Sequence, residues 1–306
     1  MVGQTKVANN LHGFNDLASW IRKLKVKLSD VLVCAEHTGI YGYDLQIWLD
    51  DMQISFAFVS ALEIKRSLGI RRGKNDAVDA LRIAEYAYIR RESISLSHKP
   101  SDVIFQLRAL LGERKQYVRM RAALLARKDA LHQYESKESI YRREEIIDKY
   151  AEYIASVDKQ MRGLMEHDDE IKRNYELISS VKGIGLVNAI NTLVYTNNFT
   201  SFQTPRQYAC YCGIAPFEHT SGTSIKGRTA VSKMGNQQLK CELTMAARSA
   251  IIHDPWMKQY YKRKMMSKGN TPGAHGIVLN AIKFKLIVRM FSVVKSGIPY
   301  KVMAYC

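Results

Sequence analysis

The chain has 306 residues, with 46 Lys or Arg against 29 Asp or Glu and a formal net charge of +17. Its 46% hydrophobic and 25% charged residues are those of a folded chain, which excludes wholesale disorder and a collagen-like repeat, and the length leaves room for about two domains. No run approaches the roughly 18 uninterrupted apolar residues of a membrane helix, and the opening MVGQTKVANNLHGF has no apolar signal core, so a cytoplasmic protein without a membrane partner is expected.

In chain order, Phe14, Leu17, Trp20, Ile21 and Leu24 stand at helical spacing. Val31 to Glu36 (VLVCAE) is an apolar run of strand length that ends in a carboxylate, and Thr38-Gly39 makes a turn. Tyr43, Ile47 and Leu49 suggest a short helix, and Ile54 to Val59 (ISFAFV) a second buried strand, so this part reads as α/β. After the basic loop KRSLGIRRGKN, Val78, Leu81, Ile83, Ala84 and Ala87 predict a helix over 76–88, with Asp76 placed to cap its first turn. Residues 92–102, rich in Ser and containing Pro100, read as a linker.

The middle third is charged, poor in Gly and Pro, and helical in period. Ile104, Leu107, Leu111, Val118 and Leu125 mark one helix. Tyr150, Ile154, Val157, Met161, Leu164, Ile171, Tyr175 and Ile178 form a heptad seam interrupted only at Asp168. Together they predict a long antiparallel helical pair or an oligomerising coiled coil.

From Val181 glycines and turn residues return, and helices are predicted near 239–252 and 276–294. From Ser221 to the end, 15 Lys or Arg accompany only Glu242 and Asp254, so about +13 of the net charge lies there. A phosphate-rich partner is the natural reading. Five cysteines, odd in number and with Cys210 and Cys212 in a single C-x-C, argue against a zinc site or a disulfide framework.

Three groups of residues could carry chemistry. Glu36 closes a predicted strand, and Asp76 and Asp79 share one face of a predicted helix; carboxylates so placed can converge on a hard divalent cation such as Mg²⁺. Spacing alone fits ordinary surface carboxylates at a helix start better. In Lys182-Gly183-Ile184-Gly185 the glycines would let backbone N–H groups approach a phosphate, or simply make a tight turn between helices. Ser221, beside Gly222 and followed by Lys226, Arg228 and Lys233, could attack a phosphodiester in a cationic loop, with Ser224 and Ser232 as local competitors.

In their order these elements resemble the DEDD transposases of bacterial insertion sequences, the group that includes the Piv-type DNA invertases and the bridge-RNA-guided recombinases. The similarity rests on VCAEHTGIYGYDL, SLGIRRGKNDAVDALRIAEYA, VKGIGLVNA, YCGIAPFEHTSGTSIKGRTAVSKMGNQQLK and AIKFKLIVRMFSVVKSGIPY, and so spans essentially the whole chain. It implies an RNase H/RuvC-like domain over 1–98, a helical coiled-coil linker over 99–178, and a mainly α C-terminal transposase domain over 179–306 with a helix-hairpin-helix-like element. It further implies Glu36, Asp76 and Asp79 as catalytic Mg²⁺ ligands, Ser221 as the nucleophile, and Lys182, Gly183, Gly185, Lys226, Arg228 and Lys233 against nucleic acid. The partners implied are DNA at element ends and target, a structured guide RNA, and further copies of the chain in a dimer or tetramer.

The chain departs from that pattern at its start, because the family opens with a strand bearing a first Asp in a Gly-x-Asp context. Neither Asp16, on the first predicted helix, nor Asp30, ahead of its strand, replaces it. A truncated, partly open N-terminal domain is expected, with the edge of the Glu36 strand exposed. Two readings stay open: a transposase or recombinase that cuts and rejoins DNA, its catalysis compromised by the missing Asp, and a non-catalytic DNA- or RNA-binding remnant of one.

Overall fold

A computed structural model describes residues 3–37, 39–67, 75–131, 134–221, 225–232, 234–269 and 271–302. The chain forms two compact units, Met1–Lys99 and Pro100–Cys306.

In the first unit the strands β1 (Leu32–Glu36) and β2 (Ser55–Val59) pair in parallel, with Leu32 opposite Ser55 and Glu36 opposite Val59. Side chains alternate across the pleat, so each face recruits its own helices. Phe56 and Val33 pack with Phe14 of α1 (Leu11–Lys23) and with Trp48 and Leu49 of α2 (Tyr43–Asp51). Ala57, Val59, Leu32 and Cys34 pack on the other face with Ile64 of α3 (Ala61–Ser67) and Tyr86 of α4 (Asp76–Arg90). The result is a three-layer α/β arrangement of the kind parallel strands require.

The segment read as a linker is partly tied down. Ser97 donates its N–H to Phe56 O (2.8 Å) and accepts from Phe58 N–H through Oγ (2.9 Å), which closes the second edge of β2. Among the described residues β1 pairs with β2 alone, and all five of its residues are half-buried.

The second unit opens with an antiparallel helical pair, α5 (Asp102–Leu131) and α6 (Lys137–Met165). Arg114 holds Asp158 through two hydrogen bonds of 2.6 and 3.3 Å, and Tyr117 lies against Tyr150 and Tyr153. Near the turn between the helices, Glu135 accepts ion pairs from Arg127 of α5 and Arg143 of α6. The heptad seam is real but not continuous: α6 ends at Met165, and Asp168 caps a new helix, α7 (Asp169–Ser179), by accepting from Ile171 N–H at 3.0 Å.

α8 (Leu186–Tyr195), α9 (Pro205–Tyr211), α10 (Gln237–His253), α11 (Pro255–Lys268) and α12 (Ala274–Ser296) complete the unit, with an antiparallel hairpin of β3 (Pro216–Ser221) and β4 (Ile225–Val231) between α9 and α10. One core runs through it, from Ile104 and Leu107 through Met161 and Ile190 to Leu239, Ile282 and Met290. Among the described residues no helix is long and apolar enough to cross a membrane.

Within this unit Asp254 is fully buried between α10 and α11. Its Oδ1 caps α11 by accepting from Met257 N–H (3.1 Å), while Oδ2 accepts from Arg289 of α12 (2.6 Å) and from the Tyr300 hydroxyl (3.1 Å). Removing one partner of such a buried pair strands the other charge. Asp254→Ala should therefore lower unfolding stability by about 3–5 kcal/mol, read as a shifted urea midpoint at unchanged slope.

Candidate functional site

In the first unit Glu36 ends β1 on the same face as Leu32 and Cys34, the side that α4 covers. Asp76 is the exposed first residue of α4. The helix is capped not by Asp76, as the spacing suggested, but by Asn75, whose Oδ1 accepts from Val78 N–H at 2.8 Å. A side chain one residue outside the helix has the reach to meet that N–H; at the first helical position it does not. Asp79, one turn on, is half-exposed and pairs with Arg82 at 3.0 Å.

A divalent cation such as Mg²⁺ takes oxygen ligands, and these three carboxylates are the right donors. Among the described residues, however, no three of His, Cys, Asp and Glu stand close enough to hold an ion. The elements are brought together, strand end against helix, but the carboxylates are not gathered.

At the opposite end of α4 from Asp76 and Asp79, Arg90 lines a groove of about 420 Å³ with Ser60, Glu63, Arg66 and Ser67. Tyr86 donates to Glu63 at 2.7 Å, and burial together with the Glu63 carboxylate pushes its phenol up to about 12. Cys34 is raised as well, by burial and then by Glu63, so its thiol stays protonated and unreactive at neutral pH.

In the second unit the segment Val181 to Gly185 turns between α7 and α8. Gly183 has φ +97°, and a Cβ there would stand 2.6 Å from Ala246 O and 2.7 Å from Ala250 Cβ of α10. Its glycine serves helix packing, one of the two uses the sequence left open. Gly185 begins α8 with no side chain capping the first turn and open space where its Cβ would be, and Lys182 is exposed beside it.

The stretch around Ser221 is a hairpin rather than a loop. Thr220, Ile225, Thr229 and Val231 are β-branched and favour extended pairing. Ser221 is the last residue of β3, its backbone opposite Ile225, and Lys226 stands opposite Thr220. The side chains of Ser221, Lys226 and Arg228, and the whole of Lys233, lie outside the described residues.

The hairpin's base is firmly set. Gly213 and Gly235 approach so closely that a Cβ on Gly235 would lie 2.2 Å from Gly213 Cα, and Asn236 N–H donates to Tyr211 O at 2.8 Å. From α12, Asn280 Nδ2 donates to Ile214 O at 2.7 Å, two residues ahead of β3. Sequence reasoning missed Asn280; nothing in its local pattern marks it.

Comparisons with known proteins agree at both ends of the chain. A DEDD transposase family matches residues 1–134, and the transposase family IS116/IS110/IS902 matches residues 175–262. The pilin gene-inverting proteins of Moraxella bovis and Moraxella lacunata are each 28% identical over 295 residues, covering 95% of this chain and 88% of theirs. An uncharacterized 43.6 kDa protein of insertion element IS110 from Streptomyces coelicolor is 30% identical over 159 residues, 51% of this chain and 38% of that one.

The two glycine-turn residues separate in their consequences. Gly183→Ala should cost about 1–3 kcal/mol, as overpacking does, whereas Lys182→Ala at the exposed neighbour should change the unfolding free energy by no more than about 0.5 kcal/mol. Denaturant titrations of the two variants check both.

Proposed function

This chain belongs to the IS116/IS110/IS902 transposase family, and on that premise we propose that it cuts and rejoins DNA with Ser221 as nucleophile. What carries the reading is the sequence run from Ser221 through Lys226, Arg228 and Lys233, the first three on a hairpin whose base is pinned by the Gly213–Gly235 contact and by Asn280. The hydroxyl oxygen of Ser221 attacks a DNA phosphorus in line. The bond from phosphorus to one deoxyribose oxygen breaks, and that oxygen leaves as a hydroxyl carrying the proton that Ser221 gives up. A hydroxyl of a second strand then displaces the serine, which restores the enzyme and joins the new strands. No oxidant or nucleotide is consumed.

Positive side chains near Ser221 stabilise the charge that builds on the phosphate oxygens. Glu36, Asp76 and Asp79 are the side chains that would hold a divalent ion such as Mg²⁺, which would compensate phosphate charge. The open first turn of α8 at Gly185, with Lys182 beside it and Gly183 shaping the turn, offers the backbone N–H groups that a phosphate favours at a helix N-terminus. This is the helix-hairpin-helix-like use of the element. The substrate is DNA, and a structured RNA and further copies of the chain complete the assembly.

The relatives support inversion or transposition in particular, since two are named for inverting a pilin gene. A non-catalytic binder is the second reading, favoured by the ungathered carboxylates in the first unit. Replacing the nucleophile separates the two. Ser221→Ala should abolish the protein–DNA adduct that survives denaturation while leaving DNA affinity within about twofold, or 0.4 kcal/mol. An adduct that persists in the variant removes Ser221 from the chemistry. Strand cleavage without any adduct in the parent chain would instead mean hydrolysis by water.

A further inference from the structure

Among the described residues three charged side chains are buried: Arg143, Asp254 and Lys283. Arg143 pairs with Glu135 and Asp254 with Arg289, as buried charges require. Lys283, on α12 and only 6% exposed, makes neither an ion pair nor a hydrogen bond among the described residues. Its charged neighbours are cations. Burial first, and then the positive charge of Lys240, pull its pKa down; Cys241 opposes them, and Arg248 adds the smallest lowering effect.

Those neighbours form a line. Lys240, Thr244 and Arg248 recur every four residues on α10, which places them on one stripe of that helix, and α10 packs against α12. Lys240 is half-exposed and Arg248 exposed, so the stripe on α10 opens to solvent.

Among the described side chains beyond Ser221, no acid is left to serve this cluster. After Ser221 the only carboxylates are Glu242 and Asp254. Glu242 senses Arg114 and Lys115 of α5, and Asp254 is committed to Arg289 and Tyr300. Three cations converging without an anion are a site for an anion supplied from outside. Asn280, one turn before Lys283 on α12, is the residue that bonds Ile214 at the base of the hairpin.

We infer that Lys283, Lys240 and Arg248 form a binding site for a phosphate of the DNA backbone, set toward the base of the hairpin that carries Ser221. The site rests on the DNA reading above and deepens it: it holds the DNA by charge several residues of strand away from Ser221, without reading sequence. A buried lysine suits this role because its ammonium, held in place by the packed stem, gains its counter-charge only when the strand arrives.

The test uses the full chain and a labelled DNA duplex of about 30 base pairs, titrated across a salt series. Lys283→Met, which keeps the stem and removes the charge, and Arg248→Gln should each weaken binding roughly three- to tenfold and reduce the slope of log K against log salt by about 1. Lys159→Gln, at an exposed position on α6, should leave both unchanged. Arg248→Gln and Lys240→Gln lie on the solvent side and keep the test independent of folding should Lys283→Met melt early.

If the parent binds with a steep salt slope and the cluster variants match it, the site is wrong while the nucleic-acid reading stands. An equal loss in Lys159→Gln reduces the effect to net charge and also overturns the site. A parent with no salt-dependent binding overturns both readings. Loss confined to an RNA duplex of the same length removes DNA as the ligand.

Discussion

The buried carboxylate of Asp254 fixes the geometry on which the second unit depends. Its backbone N–H closes α10 on Ala250 O (2.9 Å), its side chain opens α11, and its second oxygen gathers Arg289 from α12 and the hydroxyl of Tyr300 beyond that helix. Tyr300 in turn donates its N–H to Ser180 Oγ at the end of α7 (2.7 Å). Through its backbone and side chain, and through Tyr300, Asp254 thus links the last three helices to the end of α7. Because the guanidinium of Arg289 also lies over the rings of Trp256 (4.8 Å) and Tyr300 (4.5 Å), its charge is satisfied on its faces as well as at its edge. The packing of α10 on α12, and with it the line of Lys240, Arg248 and Lys283, follows from this clamp.

The two units present their chemistry in different states of organisation. In the first, β2 has both edges occupied, by β1 and by Ser97, while β1 is bonded on one side among the described residues. Glu36 therefore sits on the less constrained of the two strands. Asp79 already has Arg82 as counter-charge, so nothing within α4 draws it toward Glu36. In the second unit the segment carrying Ser221 is a hairpin clamped at its base by a glycine–glycine contact and by hydrogen bonds from Asn236 and Asn280. The difference is one of scaffolding: two paired strands with a clamped base hold their residues in register, whereas a strand end and a helix start share only a packed face.

Much of the architecture was legible because long helices and buried strands write their period into the chain. The seam from Tyr150 to Ile178, the runs VLVCAE and ISFAFV, and helices over 76–88, 239–252 and 276–294 emerge from apolar spacing; the structure extends these helices to 76–90, 237–253 and 274–296. Two helices are not legible in the spacing: α9 has seven residues, too few turns to show a period, and the 14 residues of α11 (PWMKQYYKRKMMSK) do not gather their apolar side chains on one face. Only their starts announce them: Thr204-Pro205 with Gln207 completing a capping box, and Asp254-Pro255. The β3–β4 hairpin was hidden by its own Gly, Ser and Thr, which read as turn although the β-branched members pair as strand. Asp76 and Asn75 are equally good caps in sequence because carboxylates and amides share that preference, and only geometry assigns the cap to Asn75. Gly183 shows the same limit, since a glycine that admits a neighbouring helix and one that admits a phosphate look alike in sequence.

The surplus of positive charge in the last third is less uniform than its sum suggests. Lys285 lies 5.5 Å from the ring centres of both Trp256 and Tyr260, which are stacked on each other, and Arg263 and Lys264 lie near the Tyr260 ring. These cations, with Arg289, have π-faces or a carboxylate to attract them, and such contacts stabilise a charge without any ligand. Lys240, Arg248 and Lys283 have neither among the described residues. Like charges held together by packing raise the free energy of the unbound fold and lower it again when an anion binds, so the differential falls on binding and not on stability. A chain selected only for folding would sooner place an apolar residue at position 283, since buried charge is rarely retained for stability alone. Burial without a counter-charge, more than the total of positive charge, is what sets Lys283 apart and underlies the phosphate site proposed for it.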